Sequence, residues 1–239
     1  MDKTEKENLG AFVAYHNIIR PIEYPLFGLI FSSGFMMLYF SLFTLFPPQE
    51  VVSSDFDGVG LGISASMIIA GIFIRRRLLR EHTNNPGKSL YYAQMILYVY
   101  CTIMGLLLIL SFVNFLYGTN TMLLAFITAV VLIGITLIAS YLFIRKMIID
   151  GRYLDKKPIS EKVIAFSAST GCLVLYLTAF QFMRRLMNVH GVVILAVMVS
   201  QVSAVLALIY YLKLRYAKKY DLEEYFPTRP NPSPYTNWE

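Results

Sequence analysis

Residues 58–77 read GVGLGISASMIIAGIFIRRR. The first 17 of these residues, 58–74, carry no ionisable side chain, and three consecutive arginines follow at 75–77. An uncharged apolar run that ends in cations is typical of a helix that crosses the hydrocarbon of a bilayer and emerges among its headgroups. The stretch therefore predicts a transmembrane helix, and its arginines mark the side on which that helix ends.

Five further runs share this pattern and alternate with polar loops. The six predicted spans are residues 24–46, 58–74, 90–117, 121–144, 163–183 and 191–212, and none contains an ionisable side chain. Each is long enough for a helix to cross about 30 Å of hydrocarbon. The sequence therefore predicts an all-α, polytopic integral membrane protein with six transmembrane helices.

The basic residues determine the predicted orientation. If the N-terminus is cytoplasmic, 19 of the 21 Lys and Arg residues lie on the cytoplasmic side, and Arg184 and Arg185 lie opposite. The positive-inside rule then predicts that both termini are cytoplasmic. Because the charge is spread along helix ends at the membrane surface, it does not form the basic soluble module of a nucleic-acid-binding protein. We expect the lipid bilayer, and no nucleic acid, as a partner.

Two flanking segments complete the predicted organisation. Thr4 and Glu7 have the spacing of a capping box, and the apolar residues after them predict a short amphipathic helix on the cytoplasmic face. Beyond Leu212 we expect the last helix to continue into the cytoplasm, and the proline-rich end to be extended or disordered. We therefore divide the chain into a single transmembrane domain, 1–212, and a cytoplasmic tail, 213–239.

Small residues recur every four positions in the second and sixth spans, so that each set follows one helix face. The two sets are Gly58, Gly62, Ser66 and Ala70, and Ala196, Ser200 and Ala204. Such stripes allow helix backbones to approach closely in a membrane. Two interpretations remain open: the stripes pack against each other within the monomer, or the first one contacts a second copy or a partner subunit.

Four amide side chains lie at membrane depth, and each needs a hydrogen-bond partner there. They are Gln94, Asn114, Gln181 and Gln201. Hydrogen bonding between helices is the first interpretation. The second is a neutral polar pocket for a small solute, lined first by Gln201.

The absence of ionisable groups from the spans restricts the classes of function. Membrane enzymes and proton-coupled transporters usually place such groups at membrane depth. The three histidines fall on opposite sides of the predicted membrane, since His16 and His82 are cytoplasmic and His190 is not. We therefore expect a protein that is not an enzyme, with no cofactor and no metal site.

The sequence favours an accessory or binding component of a membrane complex, with a membrane or cytoplasmic protein as partner. One alternative is the membrane-spanning permease subunit of an ATP-driven transporter, whose basic loop at 75–88, with Arg76 and Arg80, would receive the ATPase. A toxin-immunity membrane protein is a further alternative. The short loops fit the cytoplasmic membrane of a bacterium.

Overall fold

Long helices dominate the part of the chain that is described. The computed structural model describes residues 3–15, 22–45, 55–117, 119–154, 163–165 and 190–226. Its α-helices are α1 (Lys3–Ala14), α2 (Glu23–Leu45), α3 (Asp55–His82), α4 (Pro86–Tyr117), α5 (Thr119–Ile149) and α6 (His190–Tyr220), and 3₁₀ turns lie at Arg152–Leu154 and Glu223–Tyr225. The all-helical prediction is thereby confirmed for these residues.

Five of these helices are long and apolar enough to cross a membrane, namely α2 to α6. Large apolar side chains cover their outer surface; Phe27 is 68% exposed and Phe31 63% exposed, with their rings stacked 5.9 Å apart. Such a surface favours aggregation in water but is suited to lipid. Five of the six predicted spans are thus observed as helices of a multi-pass membrane protein. The other, 163–183, lies outside the described residues beyond Ala165.

Helix α4 lies at the centre of the described bundle, because it contacts α2, α3, α5 and α6. It runs antiparallel to α6, since Tyr91 lies against Tyr210 while Thr102 and Gly105, further along α4, meet Ser200. The span in α6 is the most enclosed, with 72% of its apolar window buried against 22–33% in the other four. Helices α2 and α3 pair with each other and with α4, and α5 packs on α4 and α6.

Helix α1 packs against protein, which differs from a helix that rests on the membrane surface alone. Phe12 and Val13 are fully buried, in a cluster with residues of α5, α6 and the turn at Arg152–Leu154. Gly151 ends α5 with a positive φ of 68°, and a Cβ there would lie 3.3 Å from Asn8 Oδ1. Helix α1 already includes Lys3, so Thr4 is not in the N-cap position that the capping box predicted.

A tight hairpin joins α3 to α4, and its sequence explains why α3 ends and α4 begins there. Asn85 caps α4, because its Oδ1 accepts the Lys88 N–H at 3.1 Å, and Pro86 occupies the first helical position, where no N–H is needed. The Thr83 hydroxyl donates to the Arg80 carbonyl at 2.7 Å and satisfies the end of α3. The basic loop of the sequence analysis is therefore the ends of two helices with a short turn between them.

The last helix continues past Leu212 without a break, so the packing shows no boundary between domain and tail at that position. Helix α6 ends where Asp221 adopts a positive φ of 54° and the Leu222 N–H reaches back to the Ala217 carbonyl at 2.9 Å. This is a Schellman-type end, which reverses the chain direction. Leu222 and Phe226 are consequently buried in the cluster that holds α1. Residues 227–239, with the prolines, lie outside the described part.

Candidate functional site

Polar and charged side chains concentrate at one end of the bundle, which we call the α1 end because α1 lies there. The hairpin between α3 and α4 opens there into a groove with a volume of about 510 Å³. Its lining has a polar part, which we call the mouth, and a more apolar part, which we call the floor. The mouth comprises Arg77, Glu81, Asn84, Asn85, Lys88 and Ser89, and the floor comprises Ile74, Leu78, Tyr92 and Ile96. We refer to this feature as the hairpin groove.

Ion pairs hold both cations of the hairpin groove. Arg77 Nε donates to Glu81 Oε1 at 2.8 Å, one turn along α3. Lys88 Nζ donates to Glu223 Oε1 at 2.5 Å, which ties the start of α4 to the 3₁₀ turn after α6. All four side chains are between 36% and 80% exposed, so these pairs contribute little to stability and remain accessible to a ligand.

A buried lysine holds α1 against the bundle. The Lys213 side chain is completely enclosed, and its Nζ donates a hydrogen bond to the Tyr15 carbonyl. Four aromatic rings surround this nitrogen with centroids at 5.2–5.7 Å: Phe12, Tyr15, Tyr91 and Tyr210. Aromatic faces stabilise a cation at such distances, which offsets the cost of burying it. We call this arrangement the Lys213 clamp.

The C-terminal segment 222–226 connects the clamp to the groove. The Phe226 ring meets Tyr91 of the clamp edge-on at 5.3 Å, while Glu223 binds Lys88 of the groove. Tyr225 lies so close to Gly10 of α1 that a Cβ there would come within 2.7 Å of its ring. The two ends of the described chain and the hairpin therefore form one continuous set of contacts.

The small-residue stripe of α3 faces outward. Gly58, Gly62, Ser66 and Ala70 are exposed, and no described atom lies within 4 Å of a Cβ built at Gly58 or Gly62. The inward face of the helix carries Gly60, where a Cβ would lie 2.5 Å from the Phe40 ring, and the buried Ser64. Within the described ranges, α2 therefore packs on the face of α3 opposite the stripe, where Phe40 lies against Gly60.

The second stripe faces inward but lies against a different helix from the one expected. Ala196, Ser200 and Ala204 are all buried. Gly105 of α4 approaches them so closely that a Cβ there would contact Ser200 Oγ and lie 2.8 Å from the Ala196 carbonyl. The helix that packs on this stripe is therefore α4, whereas the first of the two interpretations of the sequence placed α3 there.

Of the four predicted polar side chains, only Gln94 and Gln201 belong to the described part of the structure, and they lie at different levels of the bundle. Gln94 lies between Tyr91 and Tyr98, whose rings contact Tyr210. Gln201 lies nine residues before Tyr210, about 13 Å nearer the start of α6. Both side chains are buried. Neither amide atom of Gln201 has a hydrogen-bond partner among the described residues. The Asn114 side chain and Gln181 lie outside the described part of the molecule.

The predicted partner residues Arg76 and Arg80 are exposed near the end of α3 and do not line the groove. The sequence analysis identified this loop but missed Arg77 and Lys88 as the cations that line a concave site. The predicted boundary after Leu212 also placed Lys213 in the cytoplasmic tail. A lysine flanked by tyrosines at the end of an apolar run was the available signal, but the same pattern is common at membrane interfaces.

No group of three or more potential metal ligands occurs within the described ranges. At the α1 end, polar donors and acceptors lie beside apolar side chains in the hairpin groove. Comparisons with protein families, with curated proteins and with solved structures find no match.

Proposed function

We propose that the protein is a non-enzymatic component of a membrane complex that binds a partner helix through the outer face of α3. The observation that carries this proposal is the open stripe of Gly58, Gly62, Ser66 and Ala70. Helices in lipid gain little from apolar burial alone, and they associate where small residues allow close backbone contact. The span of α3 is also the least buried of the five, at 22%, which leaves this face available.

We further propose a topology of six spans with both termini in the cytoplasm. Helices α5 and α6 run in the same direction, because the C-terminal end of each contacts α1. Ala165 is buried in the same cluster at the α1 end, whereas α6 begins at the opposite end with His190. The positions of Ala165 and His190 at opposite ends of the bundle support the proposal that the predicted span 163–183 is a sixth crossing.

Two substitutions on α3 test the partner helix. Gly62→Leu places a large side chain on the open face, so we expect the thermal stability of the purified protein to stay unchanged while copurification of its partner from native membranes is lost. Gly60→Leu is the matched control, because it forces a side chain into the Phe40 ring. We expect it to lower the stability by about 1–3 kcal/mol.

The opposite pattern would reject the partner face. If Gly62→Leu destabilises the isolated protein as strongly as Gly60→Leu does, the stripe packs within the monomer. If the partner is retained in full by Gly62→Leu, the complex forms through another surface. Chemical crosslinking in native membranes would keep a weak complex intact during solubilisation, for both variants.

A second candidate function is the membrane subunit of an ATP-driven transporter, favoured by the exposure of Arg76 and Arg80 at the hairpin. A cytoplasmic ATPase would dock on such a basic helix end. The double variant Arg76→Gln, Arg80→Gln should then release a stoichiometric ATPase without affecting the fold, since both side chains point away from the bundle. Copurification of a membrane protein in place of an ATPase would favour the first proposal.

A further inference from the structure

We propose that the hairpin groove binds one phospholipid with an ethanolamine headgroup. A volume of about 510 Å³ lies within the range of small-molecule sites. Its polar mouth and apolar floor match the two parts of an amphiphile. This lipid site would exist whether or not a protein partner binds α3.

The polarity of the groove changes along the axis of the bundle. Asn84 and Asn85 lie at the turn, whereas Ile74 and Ile96 lie within the apolar spans of α3 and α4. Ile96 is about 12 Å further along α4 than Lys88. A headgroup at the turn would therefore place its glycerol and first methylenes over an apolar floor. A water-soluble ligand without an apolar part would leave this deeper half unused, whereas a lipid would cover both halves.

The phosphate of the lipid would lie between Arg77 and Lys88. The Arg77 guanidinium uses its Nε–H to bind Glu81 and carries four further N–H donors. Its side chain is 80% exposed, so these donors are accessible. Lys88 Nζ is held in position by Glu223 at 2.5 Å. Both cations are thus oriented before a phosphate arrives, and an arginine fork is well suited to phosphate oxygens.

The same carboxylates select the second half of the headgroup. Glu81 lines the groove and Glu223 borders it through Lys88, so one carboxylate accompanies each of the two cations. A purely anionic headgroup would meet this negative charge unfavourably. A primary ammonium can donate hydrogen bonds to Glu81 and Glu223, whereas the trimethylated ammonium of choline has no N–H to donate. The charge pattern therefore favours ethanolamine over both choline and glycerol headgroups.

Native mass spectrometry of the full chain in detergent tests this site directly. Phosphatidylethanolamine, phosphatidylcholine and phosphatidylglycerol with identical acyl chains are titrated separately. We expect the first to bind as a single adduct about tenfold more tightly than either of the others, the difference that one charge-assisted hydrogen bond supplies. Equal retention of the ethanolamine and choline lipids would overturn the proposal.

Variants locate the site within the molecule. Arg77→Gln and Glu81→Gln should each weaken the ethanolamine adduct by about tenfold, since each removes one charge-assisted contact. Arg75→Gln is the matched control, because Arg75 is an exposed cation of the same helix that does not line the groove. If Arg75→Gln weakens the ethanolamine adduct equally, the lipid is held by non-specific charge attraction and not by a defined site. Equal binding of soluble glycerophosphoethanolamine would mean that the apolar floor is unused, and either result would refute the lipid site.

Discussion

Tyr91 illustrates how single side chains assemble the α1 end. Its ring is fully buried, and its hydroxyl donates to the Val13 carbonyl of α1 at 2.6 Å. The same ring meets Tyr210 at 5.4 Å and lies 5.2 Å from Lys213 Nζ. One residue of α4 thus contacts both the N-terminal helix and the last helix.

Removal of the Tyr91 hydroxyl should loosen α1. In Tyr91→Phe the ring contacts remain, but a buried carbonyl loses its donor, which we expect to cost about 1–3 kcal/mol. Thermal unfolding in detergent would measure the loss, and hydrogen exchange should rise first in α1. The control is Tyr211→Phe, at a residue that is 47% exposed and should be neutral. Equal stability of the two variants would contradict this account of α1 docking.

The Lys213 clamp shows why some of the candidate site could not be predicted. Its rings come from α1, α4 and α6, so residues far apart in the sequence meet at one nitrogen. Hydropathy and charge patterns describe local segments and carry no information on such contacts. From the sequence alone, a lysine at the end of an apolar run is expected to extend into the headgroup layer.

At the level of elements, α3 shows that sequence periodicity predicts a helix but does not determine which of its faces packs against its neighbours. The helix and its membrane-crossing character follow directly from the sequence, and both are observed. The packing face does not follow, because small residues occupy both faces of the helix. Phe40 of α2 lies over Gly60 and thereby determines which face is internal. That choice depends on a neighbouring helix and not on the stripe itself.

The pairing of α4 with α6 depends on Gly105. A Cβ at this position would contact Ser200 Oγ and the Ala196 carbonyl, so Gly105→Ala should separate the two helices and reduce stability by about 1–3 kcal/mol, less the small gain in helix propensity. Gly134→Ala in α5 is the matched control, since no described atom lies within 4 Å of its Cβ. Thermal unfolding of the two variants side by side measures the difference. If Gly105→Ala leaves the stability unchanged, α4 and α6 do not pack closely at Gly105.

On the scale of the whole molecule, hydropathy predicted the helical membrane architecture. The thickness of the bilayer sets the length of an apolar helix that can span it, and this length can be counted within each segment of the sequence. It could not predict that residues 213–226 belong to the folded body. That result depends on the reversal at Asp221, a non-glycine residue with positive φ, and on the ion pair between Lys88 and Glu223. Both features join segments that the sequence analysis had assigned to loop and tail.

For the whole molecule we propose a six-span bundle in which the hairpin and the C-terminal segment share the cytoplasmic side. Single cysteines at Asn84, Thr119, Gly191 and Glu224, in a background without the native cysteines, test it by reaction with a membrane-impermeant thiol reagent added to intact cells. We predict labelling at Thr119 and Gly191, and protection at Asn84 and Glu224. Protection at Gly191, or labelling at Glu224, would contradict the crossing between Ala165 and His190 and with it the six-span topology.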